Sequence, residues 1–217
     1  MLSSNQFASM LALQAEMNAK VDSKWLVARY PYLRAVVIEA AEAIEHHGWK
    51  WWKKQELDLP QLQMELIDIW HFILSELLLE RNGDQAATTA FVVSSVNAGS
   101  TSLALDGNAY DLQAMTLLSK LELLIGISAV RRIELGLFAS IMQDCHMSWD
   151  DLYSQYVGKN VLNFFRQDHG YKEGQYRKIW HGREDNEHLV EILGTLNAQD
   201  QHFQDKLYAA LSQRYVD

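Results

Sequence analysis

The chain has 217 residues, of which 48% are hydrophobic, and a formal net charge of −9 at neutral pH. This length and hydrophobic content suffice for one large domain, or for a domain with an insertion. The negative charge argues against general binding to DNA or RNA, because a nucleic-acid-binding surface has to be basic.

Two further features of the composition bear on where the protein works. No stretch approaches the roughly 20 apolar residues that a membrane-spanning helix needs, and the N-terminus lacks the basic start of a secretory signal. The single cysteine, Cys145, has no partner for an intramolecular disulfide and cannot build a cysteine-based zinc site. We therefore expect a cytoplasmic protein with no membrane partner.

The first part of the chain predicts three long helices. Apolar residues recur at helical spacing in residues 5–20, and a second helical pattern covers residues 33–47. An aromatic, basic and turn-like stretch follows at residues 48–59. Pro60 then suits the first turn of a third helix, which we expect to end near residue 81.

The rest of the chain predicts further helices after an irregular segment. Residues 84–107 are rich in Ala, Ser, Thr and Gly and contain a β-like run, FVVSSV, so we expect a poorly defined connection or a mobile insertion there. Because strands and helices do not alternate, we predict an all-α fold rather than a parallel sheet. The expected later helical segments are residues 109–130, 133–144, 148–166, 185–194 and 198–215.

Two pairs of acidic residues lie inside apolar helical sequence: Glu39 with Glu42, and Glu65 with Asp68. The spacing in each pair places both carboxylates on one helix face. Carboxylates on a face that should be buried are costly unless a positive group meets them. Since Mg²⁺ prefers oxygen ligands, the pattern predicts a Mg²⁺ site between two helices.

A di-iron centre is the rival metal site, and it fits poorly. That design takes Glu-x-x-His from two helices, whereas the nearest match here is a single Asp68-Ile-Trp-His71. We therefore expect His71 to be a packed or supporting histidine rather than a metal ligand.

A basic segment near the C-terminal end predicts a phosphate site. Lysines and arginines crowd between residues 159 and 183, interleaved with Gly170, Gly174 and two tyrosines. Glycine permits close backbone approach, and lysine and arginine supply positive charge for phosphate oxygens. In an acidic protein, one such local cluster fits a small anionic ligand better than a polymer.

Two polar and aromatic features could serve a nucleobase. Trp52 closes the run Trp49-Lys50-Trp51-Trp52, which could pack the turn between two helices or stack on a base. Gln14 and Asn18 lie one helical turn apart, and an amide that both donates and accepts suits a pyrimidine edge. The residues alone leave the ordinary structural explanations open.

Taken together, these motifs resemble the dimeric, all-α dUTPases, relatives of the wider all-α nucleoside triphosphate pyrophosphohydrolases. The resemblance rests on ExxE at 39–42, WKWWK at 49–53 and ELIDIWHFIL at 65–74. Its most specific part is GKNVLNFFRQDHGYKEGQYRKIWHGREDN at 158–186, which generic members of the superfamily lack. The resemblance implies a catalytic helical core made of residues 1–83 and 146–217 together, with a variable, mobile helical region at 84–145.

The resemblance also implies an activity and roles for site residues. The activity is the Mg²⁺-dependent hydrolysis of dUTP, and of dUDP, to dUMP by a homodimeric enzyme whose partners are deoxyuridine nucleotides. Two or more Mg²⁺ ions are expected. The implied roles are Mg²⁺ binding for Glu39, Glu42, Glu65 and Asp68; phosphate binding for Lys159, Arg166, Lys172, Tyr176 and Lys178; and base or sugar contacts for Gln14, Asn18, Trp52, Asn163 and Asn186.

The sequence leaves the catalytic base and the choice of nucleobase open. Either Glu39 or Glu42 could accept the proton of the attacking water, and their spacing does not choose between them. A flippable Gln or Asn amide could read uracil or cytosine, so the expected uracil preference comes from the resemblance. The alternatives are a dCTP/dUTP pyrophosphatase, a housecleaning enzyme for modified nucleotides, and a helical nucleotide-binding protein without turnover.

Overall fold

Helices make up most of the chain, which a computed structural model describes over residues 2–99, 101–198, 200 and 202–215. The all-α fold class is therefore confirmed. Contacts divide the chain into two units, Met1–Asp150 and Asp151–Asp217. The elements are α1 (Ser4–Val21), α2 (Trp25–Ala28), α3 (Tyr32–His47), α4 (Leu59–Glu80), α5 (Gln85–Asn97), β1 (Ser102–Leu105), β2 (Asn108–Asp111), α6 (Leu117–Ala129), α7 (Leu135–Asp144), α8 (Trp149–Asp168), β3 (Ile179–Trp180), β4 (Arg183–Glu184), α9 (Asp185–Leu193) and α10 (Phe203–Arg214).

Local capping explains where the predicted long helices begin. Ser3 and Gln6 form a reciprocal capping box at the start of α1, which satisfies backbone N–H groups of the first turn. Asp58 accepts a hydrogen bond from the backbone N–H of Gln61 at the start of α4, and Pro60 occupies the first turn as predicted. The helices predicted at 5–20, 33–47 and from Pro60 to about residue 81 are confirmed.

The core of the first unit forms around α3 and α4, which pack along each other. Helix α6 lies against α3, while α1 contacts both α4 and α5. Leu62, Leu66 and Trp70 of α4 are fully buried in this core, and Trp70 stacks on Phe138 of α7 at a ring-centroid distance of 5.1 Å. The packing of α3 on α4 brings the two helices that carry the acidic pairs together.

The segment after α4 differs from the prediction. The FVVSSV run is part of helix α5, so the β-like interpretation of it is wrong. The hydroxyls of Thr88 and Thr89 donate to backbone oxygens one turn earlier, which lets threonines sit inside the helix. The helix predicted from residue 109 begins only at Leu117, because residues 108–111 pair with β1 and Thr116 caps α6.

The second unit contains α8 from Asp151 onward, the two-residue strands β3 and β4, and helices α9 and α10. Gly158 permits a close approach of α8 to α9, because a Cβ at this position would lie 2.9 Å from a methyl group of Leu193. Phe165 and Trp180 are buried and contact each other edge to face at 5.7 Å. This packing positions the basic segment between α8 and α9.

Candidate functional site

Three carboxylates converge where α3 meets α4. One oxygen from each of Glu39, Glu42 and Glu65 lies within 4.8 Å of the others. Glu65 is buried, Glu39 is half-buried and Glu42 is exposed, so the cluster opens to solvent on one side. Asp68, one turn further along α4, is close enough to raise the pKa of Glu39 electrostatically. An oxygen-only donor set of this kind fits a hard divalent cation such as Mg²⁺.

Crowding of like charges changes the protonation of this cluster. Burial raises the pKa of Glu39 to about 7, and the charges of Asp68, Glu65 and Glu42 add to the rise. Without a cation, Glu39 therefore holds a proton over much of the neutral range, which relieves the repulsion.

His46 is a neighbour that the sequence reasoning missed, with its Nε2 3.3 Å from Glu65 Oε1. Its position one turn beyond Glu42 on the same helix was a signal that could have found it.

The raised pKa of Glu39 predicts a pH-dependent stability for the metal-free protein. A folded-state pKa of about 7, above the usual 4.5, stabilises the fold fully below about pH 4.5, and this contribution is lost as the pH rises through about 7. In chelator, Glu39→Gln should therefore gain melting temperature relative to wild type between about pH 5 and pH 8. Thermal unfolding of both proteins across this range measures the difference, and a constant difference would contradict the assigned pKa.

The two amides of α1 lie in a buried polar network with α4. Gln14 and Asn18 are 4% and 8% exposed, and Gln14 Nε2 lies 3.0 Å from Asn18 Oδ1. Ser75 Oγ is 2.9 Å from Gln14 Nε2 and 3.1 Å from Asn18 Nδ2. His71 Nδ1 is 2.9 Å from Gln14 Oε1, in agreement with the expectation that His71 is a packed residue. Ser75 gave no sequence signal.

Trp52 lies in an exposed aromatic cluster in the turn between α3 and α4. Its side chain is 58% exposed, and its ring contacts Trp49 and Trp51 edge to face at 5.3 and 4.5 Å. Trp49 Nε1 donates to Glu45 Oε1 at 2.7 Å, which fixes one end of the cluster. The rings therefore pack the turn, and Trp52 also presents aromatic surface on which a planar ligand could stack.

In the second unit, two predicted residues, Arg166 and Tyr176, converge on Asp185, which the sequence reasoning missed. Arg166 donates from Nε and Nη2 to Asp185 at 2.8 and 2.9 Å, and Tyr176 donates its hydroxyl at 2.8 Å. Arg166 Nη1 also donates to Asn163 Oδ1 at 3.2 Å. Asp185 is fully buried, and burial, followed by the bond to Asp185, raises the pKa of Tyr176. The acidic residue at the start of the predicted 185–194 helix, inside a basic segment, was the available signal.

The remaining predicted residues of this unit occupy different environments. Lys159 is buried on α8, whereas Lys172 is exposed in the glycine-containing turn after α8. Lys178 is exposed and its Nζ lies 3.2 Å from Glu184 Oε2. Asn186 Oδ1, in the first turn of α9, is buried without a hydrogen-bond partner among the described residues. Among the described residues, no hydrogen bond between side chains joins Lys172, Lys178 or Asn186 to Arg166 or Asp185.

Comparison with known proteins gives a family. No curated protein matches the chain. None of the described helices has the length and hydropathy that crossing a bilayer requires. A family model described as dUTPase matches residues 6–171, which include both acidic pairs, Gln14, Lys159 and Arg166. Lys172, Tyr176, Lys178 and Asn186 lie beyond the match. The chain therefore belongs to the all-α dUTPase family and is a dUTP diphosphatase.

Proposed function

We propose that the protein hydrolyses dUTP to dUMP and pyrophosphate, and dUDP to dUMP and phosphate, in a reaction that requires Mg²⁺. The observation that carries the metal requirement is the convergence of Glu39, Glu42 and Glu65 within 4.8 Å. Repulsion among these acids needs a counter-charge, which a divalent cation held by their carboxylates would supply. The homodimeric state that the resemblance implies and the cytoplasmic location expected from the composition are part of the proposal.

The acidic cluster has two tasks in this proposal. Glu39, Glu42, Glu65 and Asp68 together hold Mg²⁺, with two or more ions expected. Bound Mg²⁺ supplies positive charge that neutralises phosphate oxygens and makes a nearby water more acidic. One of the two α3 glutamates, Glu39 or Glu42, accepts the proton of the attacking water at a carboxylate oxygen.

For the phosphates, we propose the basic residues of the second unit. Lys159, Lys172 and Lys178 supply positive charge, while Arg166 and Tyr176 have their orientation fixed by Asp185. Positive groups held in place before the reaction stabilise the charge that develops on the leaving pyrophosphate. Asn163 and Asn186 are the proposed nucleoside or phosphate contacts. The buried Oδ1 of Asn186, which has no hydrogen-bond partner in the part of the chain that the structure describes, supports a ligand-binding role.

For the nucleoside, we propose that Gln14 and Asn18 face the edge of the base and that Trp52 stacks on it. The exposed ring of Trp52 supports the stacking role. The buried polar network around the two amides supports recognition by hydrogen bonds, because a buried amide held by neighbours presents a defined donor or acceptor.

A panel of nucleotides tests the proposed function. The protein is incubated with dUTP, dUDP, dCTP, dTTP and UTP, once with Mg²⁺ and once with a chelator, and the products are separated. We expect dUMP from dUTP and dUDP, little product from the other three, and no turnover in chelator. Full activity in chelator would overturn the metal assignment, and equal cleavage of all five would indicate a housecleaning enzyme instead.

A further inference from the structure

Ser75 lies at the centre of the amide network and fixes which of its atoms donate hydrogen bonds and which accept them. Its Oγ is 3.0 Å from the backbone oxygen of His71. A carbonyl oxygen can only accept, so the hydroxyl hydrogen points to it and the two lone pairs of Oγ remain as acceptors. The amide nitrogens of Gln14 and Asn18, at 2.9 and 3.1 Å, donate to these lone pairs. The approach of Oγ to Asn18 Oδ1 is longer, at 3.3 Å, and competes weakly for the same hydrogen.

His71 fixes the other end of the Gln14 amide. Because the nitrogen of Gln14 faces Ser75, its Oε1 faces the imidazole, 2.9 Å from Nδ1, and Nδ1 therefore carries the hydrogen. The second amide hydrogen of Gln14 bonds Asn18 Oδ1 at 3.0 Å. Flipping either amide would set nitrogen against a donor or oxygen against oxygen, so two residues of α4 hold both α1 amides in one orientation.

The fixed orientation determines what Asn18 can offer to a base. Its amide nitrogen carries two hydrogens, of which one bonds Ser75. The other makes Asn18 a hydrogen-bond donor. Uracil has an accepting oxygen at position 4, whereas cytosine has a donating amine there. A donor held opposite position 4 of the base therefore favours uracil, whereas an amide free to flip would accept either base.

We propose that Ser75 and His71 are positioning residues that lock the Asn18 amide as a donor and thereby make the enzyme prefer dUTP to dCTP. Neither residue has to contact the nucleotide for this effect. The inference rests on the proposed role of Gln14 and Asn18 in base recognition, and it adds the reason why these amides read one pyrimidine rather than both.

Substrate preference in Ser75→Ala tests this role. We expect the ratio of kcat/KM for dUTP to kcat/KM for dCTP to fall about tenfold or more, the effect of one misplaced buried hydrogen bond. Ser75→Thr, which restores the hydroxyl, should recover the ratio. Ser128→Ala is the matched control, because Ser128 is equally buried on α6 and outside the network. A purely structural role would lower both kcat/KM values together and leave the ratio unchanged.

Variants of His71 test the same role independently, in case Ser75→Ala does not fold. His71→Leu removes the donor to Gln14 Oε1 and should also lower the ratio, whereas His71→Asn places an amide nitrogen near the position of Nδ1 and should preserve it. A selective wild type with unchanged ratios in Ser75→Ala and His71→Leu would overturn this inference alone. A wild type that cleaves dUTP and dCTP equally would overturn the proposed base preference together with it.

Discussion

Glu42→Gln is expected to lower kcat/KM for dUTP by roughly 10²-fold or more, the scale of losing one preorganised electrostatic group. Glutamine keeps the shape of the side chain but removes the negative charge of Glu42, one of the three carboxylates in the cluster. Because Glu42 is exposed, the change should leave the fold intact. Steady-state kinetics at saturating Mg²⁺ and a Mg²⁺ titration of the activity measure the loss of turnover and of metal affinity.

A matched control separates this effect from a general loss of surface charge. Glu122 is an exposed glutamate on α6, and it lies outside the carboxylate cluster. Glu122→Gln changes the net charge equally and should keep wild-type kinetics and the same Mg²⁺ dependence. Near-normal turnover in Glu42→Gln at every Mg²⁺ concentration would remove Glu42 from the metal set and from the candidate bases.

The long helices could be predicted from sequence because local signals agree with one another. In α1 and α4, capping residues, apolar periodicity and the placement of Pro60 all indicate the same boundaries. Helix α5 could not be predicted, since its Val- and Thr-containing sequence has strand propensity, whereas in the fold the segment packs as a helix against α1 and α7. The proposed mobility of residues 84–145 stays a prediction.

Some residues of the candidate site could be predicted from local sequence patterns, whereas others depend on contacts between residues that are distant in sequence. The acidic pairs could be found because the two acids of each pair lie three residues apart on one helix. The same spacing within apolar sequence in both pairs suggested that the two pairs meet. The role of Ser75 depends on how α1 lies against α4, across 61 residues of chain from Gln14, and no local pattern encodes it. Asp185 pairs with Arg166 across 19 residues, and its only local signal is an acidic residue at a helix start inside a basic segment, which does not identify the partner.

Asp185→Ala is expected to destabilise the protein by about 3–5 kcal/mol, the usual cost of removing one partner from a buried ion pair. Asp185 is fully buried and accepts from Arg166 at two atoms and from Tyr176, so its loss leaves a mostly buried guanidinium and a phenol hydroxyl without their acceptor. Urea unfolding followed by circular dichroism measures the change. Asp205→Ala on α10 removes an exposed carboxylate of the same unit and should change stability by at most about 1 kcal/mol.

The double variant Arg166→Met with Asp185→Leu then separates support of the fold from phosphate binding. Replacing both partners of a buried pair with apolar side chains removes the uncompensated charge and often restores stability. If Arg166 also serves the phosphates, the double variant should regain most of its stability and still have a raised KM and a lowered kcat for dUTP. Wild-type turnover in the stable double variant would make Arg166 a structural residue, and wild-type stability in Asp185→Ala would contradict the buried pair itself.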